Sequence, residues 1–309
     1  MEHLPRIVIA GAGGVVGRAL LAAAEGRYAS VVLTRGGTTP QGIDSVRWTP
    51  SAAHDGDEAE LDHLAKVLGG ASAIVNLAGS SIADGRLDAK HLERLEDSRV
   101  KAAATLVAAG VRAAAPPPVW FQASGADIYG DRGEAKLDER AAIVGDAPLT
   151  QLGRVWEGSA EPASAFARVV VGRLGAVLAP EAQAWRKLLL PIRLFVGGPF
   201  GSGRQYFPWI AADDAARAIL FLIERQDASG PYNLSAQPTR QIELTRAAAK
   251  RLRRPALIPA PAFALRLVLG RVADTLLLSS KRVVPRRLRE AGFRFDAWTP
   301  EQLAEKLIG

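Results

Sequence analysis

Residues 6–26, RIVIAGAGGVVGRALLAAAEG, constrain the fold more than any other stretch. A β-branched apolar run enters a turn containing Gly11, Gly14 and Gly17, and a helical run closed by Gly26 follows. Strand, glycine turn and helix in that order are the opening of a βαβ unit. In such a unit the first glycine makes the tight turn, the second lets the backbone approach a pyrophosphate, and the third lets the helix pack closely on the sheet. An anion there meets free N–H groups at the positive end of a helix dipole, an effect of roughly 0.3–1 kcal/mol at an exposed end. Gly11, Gly14, Val15, Val16 and Gly17 are therefore candidate nucleotide contacts, set against the plainer possibility of a glycine turn that only shapes the chain.

Further apolar runs recur as SVVLTR, SAIVNLAG, VWFQASG, RVVVGRLGAVL and PYNLSA, separated by helix-like segments such as ELDHLAKVLGG and the long run from Ala89 that three prolines, Pro116 to Pro118, close. Strands that read as continuous apolar runs are buried on both faces. The pattern predicts an α/β fold, a doubly wound parallel sheet over residues 1–235 with about 178–206 contributing to the substrate side. Beyond Ser235 the chain turns helical and proline-rich, which predicts a smaller, mostly helical C-terminal lobe over 236–309. The second strand ends at Thr34 and Arg35, about 20 residues past the turn, where an acidic side chain would hold the ribose 2′-hydroxyl of NAD. A guanidinium instead forks well onto a 2′-phosphate, which favours NADP(H), unless Arg35 is simply a solvated loop arginine.

Composition excludes several classes. There is no cysteine, so disulfides, thiolate metal sites and cysteine nucleophiles are all absent, in keeping with a cytoplasmic protein. His3, His54, His63 and His91 show no paired ligand spacing, so no metal site is expected. The N-terminus lacks a basic region ahead of its apolar run and reaches glycine too early for a signal peptide. The most apolar later region, from Pro255 to Ser280, is broken by Arg266, Arg271 and Asp274, which argues against a membrane span. The net charge of +7 raises nucleic acid as a partner, but the basic clusters near 250–254 and 281–289 alternate with aliphatic residues and carry no aromatic stacking platform. A small-molecule partner is expected, with no nucleic acid or membrane partner, and a monomer or homodimer.

The stretch GGPFGSGRQYFPWIAADD, 197–214, gathers Phe200, Tyr206, Phe207 and Trp209 in a chain whose aromatic content is 6%. It reads either as a pocket wall or as a surface loop shut by an aromatic latch.

VNLAG at 75–79, SRVKAAATL at 98–106, ASGADIYGD at 123–131, VWEGSA at 155–160, GRLGAVL at 172–178 and the 197–214 stretch, in that order, resemble the atypical extended short-chain dehydrogenases/reductases called the epimerase family. Residues 254–295 are similar to the small domain of unknown function that ends those proteins. The resemblance covers nearly the whole chain. It implies a Rossmann domain, an NADP(H) cofactor and a pocket-wall role for 197–214. It also implies cofactor contacts at Gly11 to Gly17, Thr34, Arg35, Leu77, Ala78, Gly79, Arg99 and Val177. Taken without the family, Arg99 is either a second cation facing phosphates or a solvated helix arginine.

The usual chemistry of that superfamily is missing. A tyrosine acid works with a lysine four residues on, which shares its helix face. None of Tyr28, Tyr129, Tyr206 and Tyr232 has such a lysine, and the matching places hold Leu149 and Gly153. Ala211 stands where the family has a histidine, and Ala182 to Trp185 stand where it has a glycine pair. Three residues remain as catalytic candidates. Ser124 lies near the family serine, although a one-residue slip puts Gly125 there. Tyr129 is a replacement acid or a structural residue. Glu157 is an acid or base raised by burial, or a salt-bridge partner. Two functions stay open: an NADP(H)-dependent oxidoreductase or epimerase-like enzyme acting on a small carbonyl, quinone or sugar-like substrate with a nonstandard acid, and a cofactor-binding sensor or scaffold without turnover.

Overall fold

The structure, a computed structural model, describes residues 4–36 and 42–308. The first half alternates strand and helix. β1 (Arg6–Ala10) leads to α1 (Val15–Ala24), then β2 (Ala29–Thr34), β3 (Asp44–Arg47), α2 (Ala52–Asp55), α3 (Glu58–Leu68), β4 (Ala73–Asn76), α4 (Ala89–Arg112) and β5 (Val119–Gly125). β6 (Lys136–Leu137), α5 (Pro148–Gly158), β7 (Arg168–Leu174), β8 (Ala176–Leu178), α6 (Gln183–Arg193), β9 (Trp209–Ala211), α7 (Ala212–Glu224) and β10 (Gly230–Leu234) follow. The remainder holds α8 (Gln241–Leu252), α9 (Ala262–Leu269), β11 (Arg282–Val283), α10 (Arg286–Glu290) and α11 (Pro300–Leu307).

Seven parallel strands form the main sheet in the order β10-β7-β5-β4-β1-β2-β3. The expected doubly wound α/β sheet is the fold. β1 shows why its run is apolar throughout: Ile7 and Ile9 pack into the core under α1 and α7, while Val8 and Ala10 pack into the opposite core under α3 and α4. Both faces of one short strand are dry.

Two elements depart from the sequence pattern. β3 has no apolar run and sits largely exposed at the sheet edge, so nothing in DSVR announced it. RVVVGRLGAVL is not one strand. It breaks at Gly175, where a Cβ would lie 2.8 Å from the Trp209 nitrogen, and β8 leaves the main sheet to pair with β9.

Past β10 the chain packs back at several points. α8 lies against α11 and α6, α10 lies on β10, and β11 pairs with β6. Asp214, fully buried at the start of α7, accepts hydrogen bonds at 2.9 Å from the backbone nitrogens of both Asp296 and Ala297. The second aspartate of IAADD thus anchors the C-terminal segment to the sheet.

The glycine turn depends on backbone-to-backbone contact. Gly11 has φ +87°, and a Cβ there would stand 2.6 Å from the Leu77 carbonyl carbon. Gly11→Ala combines a left-handed backbone with this overlap and is expected to lower the unfolding free energy by about 1–3 kcal/mol, read by urea denaturation. An unchanged midpoint would show that the turn relaxes freely.

Candidate functional site

The carboxyl ends of β1, β2 and β4 open onto a groove of about 800 Å³, where an open α/β sheet is expected to bind its ligand. Gly11 to Gly14, Thr34, Arg35 and Leu77 to Gly79 line it. Four polar or aromatic residues that motif reading did not pick out line it too: Arg18, Trp48, Ser80 and Ser98. Arg18 directly follows the third turn glycine, and that proximity was the available signal. Trp48 carried none.

Gly14 is the N-cap of α1 and brings no side chain to it, and no acidic residue occupies the first turn. The first N–H groups of a helix have no partner inside it. A Cβ at Gly13 would meet nothing within 4 Å, so the turn is open on that side, whereas a Cβ at Gly17 would overlap Ala12 Cα at 2.4 Å. The turn is therefore tight where it meets protein and bare where it meets the groove. Val15 and Val16 are half-buried and pack against neighbouring core clusters, leaving their backbone to the turn. Arg18 and Arg35 bring two guanidiniums to the groove, with Arg18 bonded to the Gly13 carbonyl and 3.7 Å from Glu181. This donor set fits a dinucleotide with a phosphate at each position.

The floor of the groove is held from below. Asn76 accepts a hydrogen bond from the Ala78 nitrogen at 3.2 Å and donates to Gln122 at 3.0 Å, both side chains being fully buried. Arg99 does not reach into the groove. It is buried, donates to the carbonyls of Leu95 (2.9 Å) and Ser80 (3.1 Å), and lies 4.3 Å over the Trp156 ring. It forms no ion pair among the described residues and its Nε has no partner; burial pushes the guanidinium down to about 10. Val177, expected as a cofactor contact, is half-buried in β8 between two core clusters and is not part of the groove lining.

Ser124, Tyr129 and Glu157 come together through Arg173, a residue not among the sequence candidates. Ser124 Oγ donates to Glu157 Oε1 at 2.7 Å, and Arg173 grips the same carboxylate with two 2.8 Å bonds. Arg173 also donates to the Tyr129 hydroxyl at 2.9 Å, and that hydroxyl donates to Asn233 Oδ1 at 2.8 Å. Burial alone would lower Arg173; the hydrogen bonds and charge of Glu157 more than offset this and hold it above the ordinary range. Burial pushes Tyr129 up despite the opposing Arg173 charge, the reverse of what a tyrosine acid needs. Tyr129 is wholly buried with its hydroxyl occupied, and Glu157 is a salt-bridge partner.

The places of the missing acid pair are filled. Leu149 is buried in an apolar cluster with Leu87, Leu95 and Leu152, and a Cβ at Gly153 would stand 2.7 Å from Ile128 Cγ1. A lysine has no room there. The 197–214 stretch does not line this groove. Trp209 is fully buried, Tyr206 is buried with Arg240 and Arg282 over its ring at 4.6 and 5.1 Å, and none of the four aromatics lines the groove.

With the geometry in hand, the kinship is direct. Residues 7–235 match the NAD dependent epimerase/dehydratase family. The chain belongs to that family. Residues 260–303 match a domain of unknown function, DUF1731. An epimerase family protein of Mycobacterium leprae is 34% identical over 291 residues, covering 94% of this chain and 91% of the relative. The epimerase family protein SDR39U1 of Bos taurus is 32% identical over 295 residues, covering 94% and 95%. A crystal structure of human epimerase family protein SDR39U1 (isoform 2) with NADPH superposes with TM-score 0.84 at 29% identity, covering 98% of this chain and all of that one.

The Glu157–Arg173 pair gives a test of its own. Side-chain exposure is 5% for Arg173 and 16% for Glu157, so removing one partner strands a nearly buried charge. Arg173→Met is expected to cost about 3 kcal/mol of stability, and adding Glu157→Leu is expected to recover most of it, as a double-mutant cycle of thermal unfolding would read.

Proposed function

We propose that the protein binds NADP(H) in the groove at the carboxyl ends of β1, β2 and β4. One observation carries the proposal: the bare glycine turn and Arg35, at the end of β2, line the same groove. The bound dinucleotide supplies hydride-transfer chemistry. The chain's own residues divide the work of holding it. The first N–H groups of α1 take the pyrophosphate, Arg35 takes the 2′-phosphate, and the Leu77–Gly79 backbone lies along the cofactor. Arg99 acts as a positioning residue, holding Ser80 and the Gly79 backbone from beneath rather than touching the cofactor. The NADPH carried by the structure of human SDR39U1 supports the choice of dinucleotide.

A charge-assisted hydrogen bond contributes roughly 1.5–3 kcal/mol. Arg35→Ala is therefore expected to weaken NADPH about 10-fold to 100-fold and to leave NADH nearly unchanged, as titration calorimetry with both cofactors would read. Equal losses for the two cofactors would make Arg35 structural.

We further propose an oxidoreductase or epimerase-like activity on a small carbonyl, quinone or sugar-like substrate, carried out without the tyrosine and lysine acid. Buried Leu149 and close-packed Gly153 offer no proton, and Tyr129 is held neutral and out of reach. Ser124 is buried, does not line the groove and spends its own proton on Glu157, so it offers none to a substrate. General acid–base catalysis typically contributes about 10²–10⁴-fold, and this site forgoes it in favour of hydride proximity. The same apolar filling supports a second reading, a cofactor-binding sensor or scaffold without turnover. NADPH oxidation across carbonyl, keto-sugar and quinone panels separates them. Activated acceptors are expected to react while simple ketones do not, with Tyr129→Phe leaving the rate within about threefold. Rapid ketone reduction lost in Tyr129→Phe would overturn the loss of the acid, and tight NADPH binding with no turnover on any panel would favour the sensor.

A further inference from the structure

Thirteen large hydrophobic side chains are exposed among the described residues, and nine fall in two short segments: Leu190 to Val196, at the end of α6, and Leu257 to Val268, through α9. The two segments are neighbours in space. The Ile258 nitrogen donates to the Gly197 carbonyl at 3.1 Å, the Ala260 nitrogen to the Pro199 carbonyl at 2.9 Å, and the Arg254 guanidinium lies 4.1 Å from the Phe195 ring centroid. α9 buries none of its eight residues, and Phe263 and Leu267, one helical turn apart on one face, are 73% and 77% exposed. A monomer does not usually leave so much aliphatic surface together in water.

The charge around this surface is mostly of one sign. No aspartate or glutamate occurs in residues 182–212 or 244–273, while the two stretches together carry eleven lysines and arginines. Lys187, Arg193, Arg253, Arg254, Arg266 and Arg271 are all exposed, and of these only Arg266 has an ion-pair partner among the described residues, Asp274 at 2.8 Å.

We propose that this face docks on an anionic lipid bilayer surface, with Phe263, Leu267 and the Leu194–Val196 turn entering the headgroup boundary and the arginines meeting lipid phosphates. The combination of protruding apolar side chains with a surround in which basic residues far outnumber acidic ones is what such a surface selects. A second copy of the chain fits poorly, because a two-fold contact would bring this cationic face against itself. Nucleic acid would leave the aliphatics against phosphate and base edges with nothing to bury them. The expectation of no membrane partner rested on the lack of a span; no helix among the described residues is long and apolar enough to cross a membrane, and surface docking requires none. The proposal stands apart from the cofactor groove, which lies on other residues.

Flotation of the purified full chain with extruded vesicles tests it. Binding is expected to phosphatidylcholine vesicles containing 30% phosphatidylglycerol and not to pure phosphatidylcholine, and to weaken at least fivefold between 0.1 and 0.5 M salt. Each basic residue near an anionic leaflet contributes about 1 kcal/mol, so Arg254→Gln with Arg271→Gln is expected to weaken binding at least tenfold. Phe263→Ser with Leu267→Ser is expected to do the same at low salt, with the melting temperature of both variants unchanged because all four side chains are exposed. No binding to the anionic vesicles would overturn the proposal, as would equal binding to neutral ones. It would fall equally if the Phe263/Leu267 variant kept wild-type affinity. A dimer in sedimentation equilibrium that the Phe263/Leu267 pair of substitutions abolishes, or duplex RNA or DNA displacing the vesicles at equal phosphate, would assign the face to another occupant.

Discussion

The groove rests on a contact between two stretches of backbone. Gly11 lies against Leu77 and Ala78 so tightly that even a methyl group would overlap the Leu77 carbonyl. That contact draws the ends of β1 and β4 together, fixes where α1 begins, and so decides where its bare N-terminus points. Gly17 repeats the theme from the helix side by meeting Ala12. The groove is therefore built by backbone surfaces that side chains elsewhere hold in place: Asn76 and Gln122 from within the sheet, and Arg99 from the long helix.

Much of the fold was legible because β1, β2, β4, β5 and β7 are buried on both faces and must be apolar throughout. The glycine turn was legible because its glycines are demanded by contacts no other residue can make. What stayed hidden followed different physics. β3 is an edge strand that buries little, so its sequence needs no pattern. The break at Gly175 depends on a partner, Trp209, more than thirty residues away. The packing of the aromatic stretch was not legible because aromatics that close a loop and aromatics that flank a ligand are the same residues, and the contacts with Arg240, Arg282 and the 256–260 segment come from far along the chain.

The candidate site was legible in part for a related reason. Ser124, Tyr129 and Glu157 drew notice separately, and their link, Arg173, lies in the middle of an apolar strand run where a charge ought to have stood out. A buried arginine in a parallel strand needs a carboxylate, and Glu157 one helix away supplies it. Arg99 is the opposite case, a buried guanidinium that neutral carbonyls and an aromatic face satisfy without any counter-charge. One arginine is neutralised within the protein, while the other leaves its positive field beneath the loop that frames the groove.

The pairing of β6 with β11 joins Lys136 to Arg282, 146 residues later. Glu139 and Asn233 deepen the same join, since Glu139 accepts from the backbone of Asn233 and Arg287, and Asn233 donates to the carbonyls of Leu137 and Val284. During synthesis at about 5–20 residues per second, the nucleotide-binding half is therefore complete in sequence for many seconds before its last polar partners leave the ribosome. Throughout that interval the region around Leu137 and Tyr129 has unpaired edges and open apolar surface. The C-terminal segment thus completes the fold as well as extending it, and a chain released early would carry the glycine turn and all seven strands of the main sheet but no partner for β6.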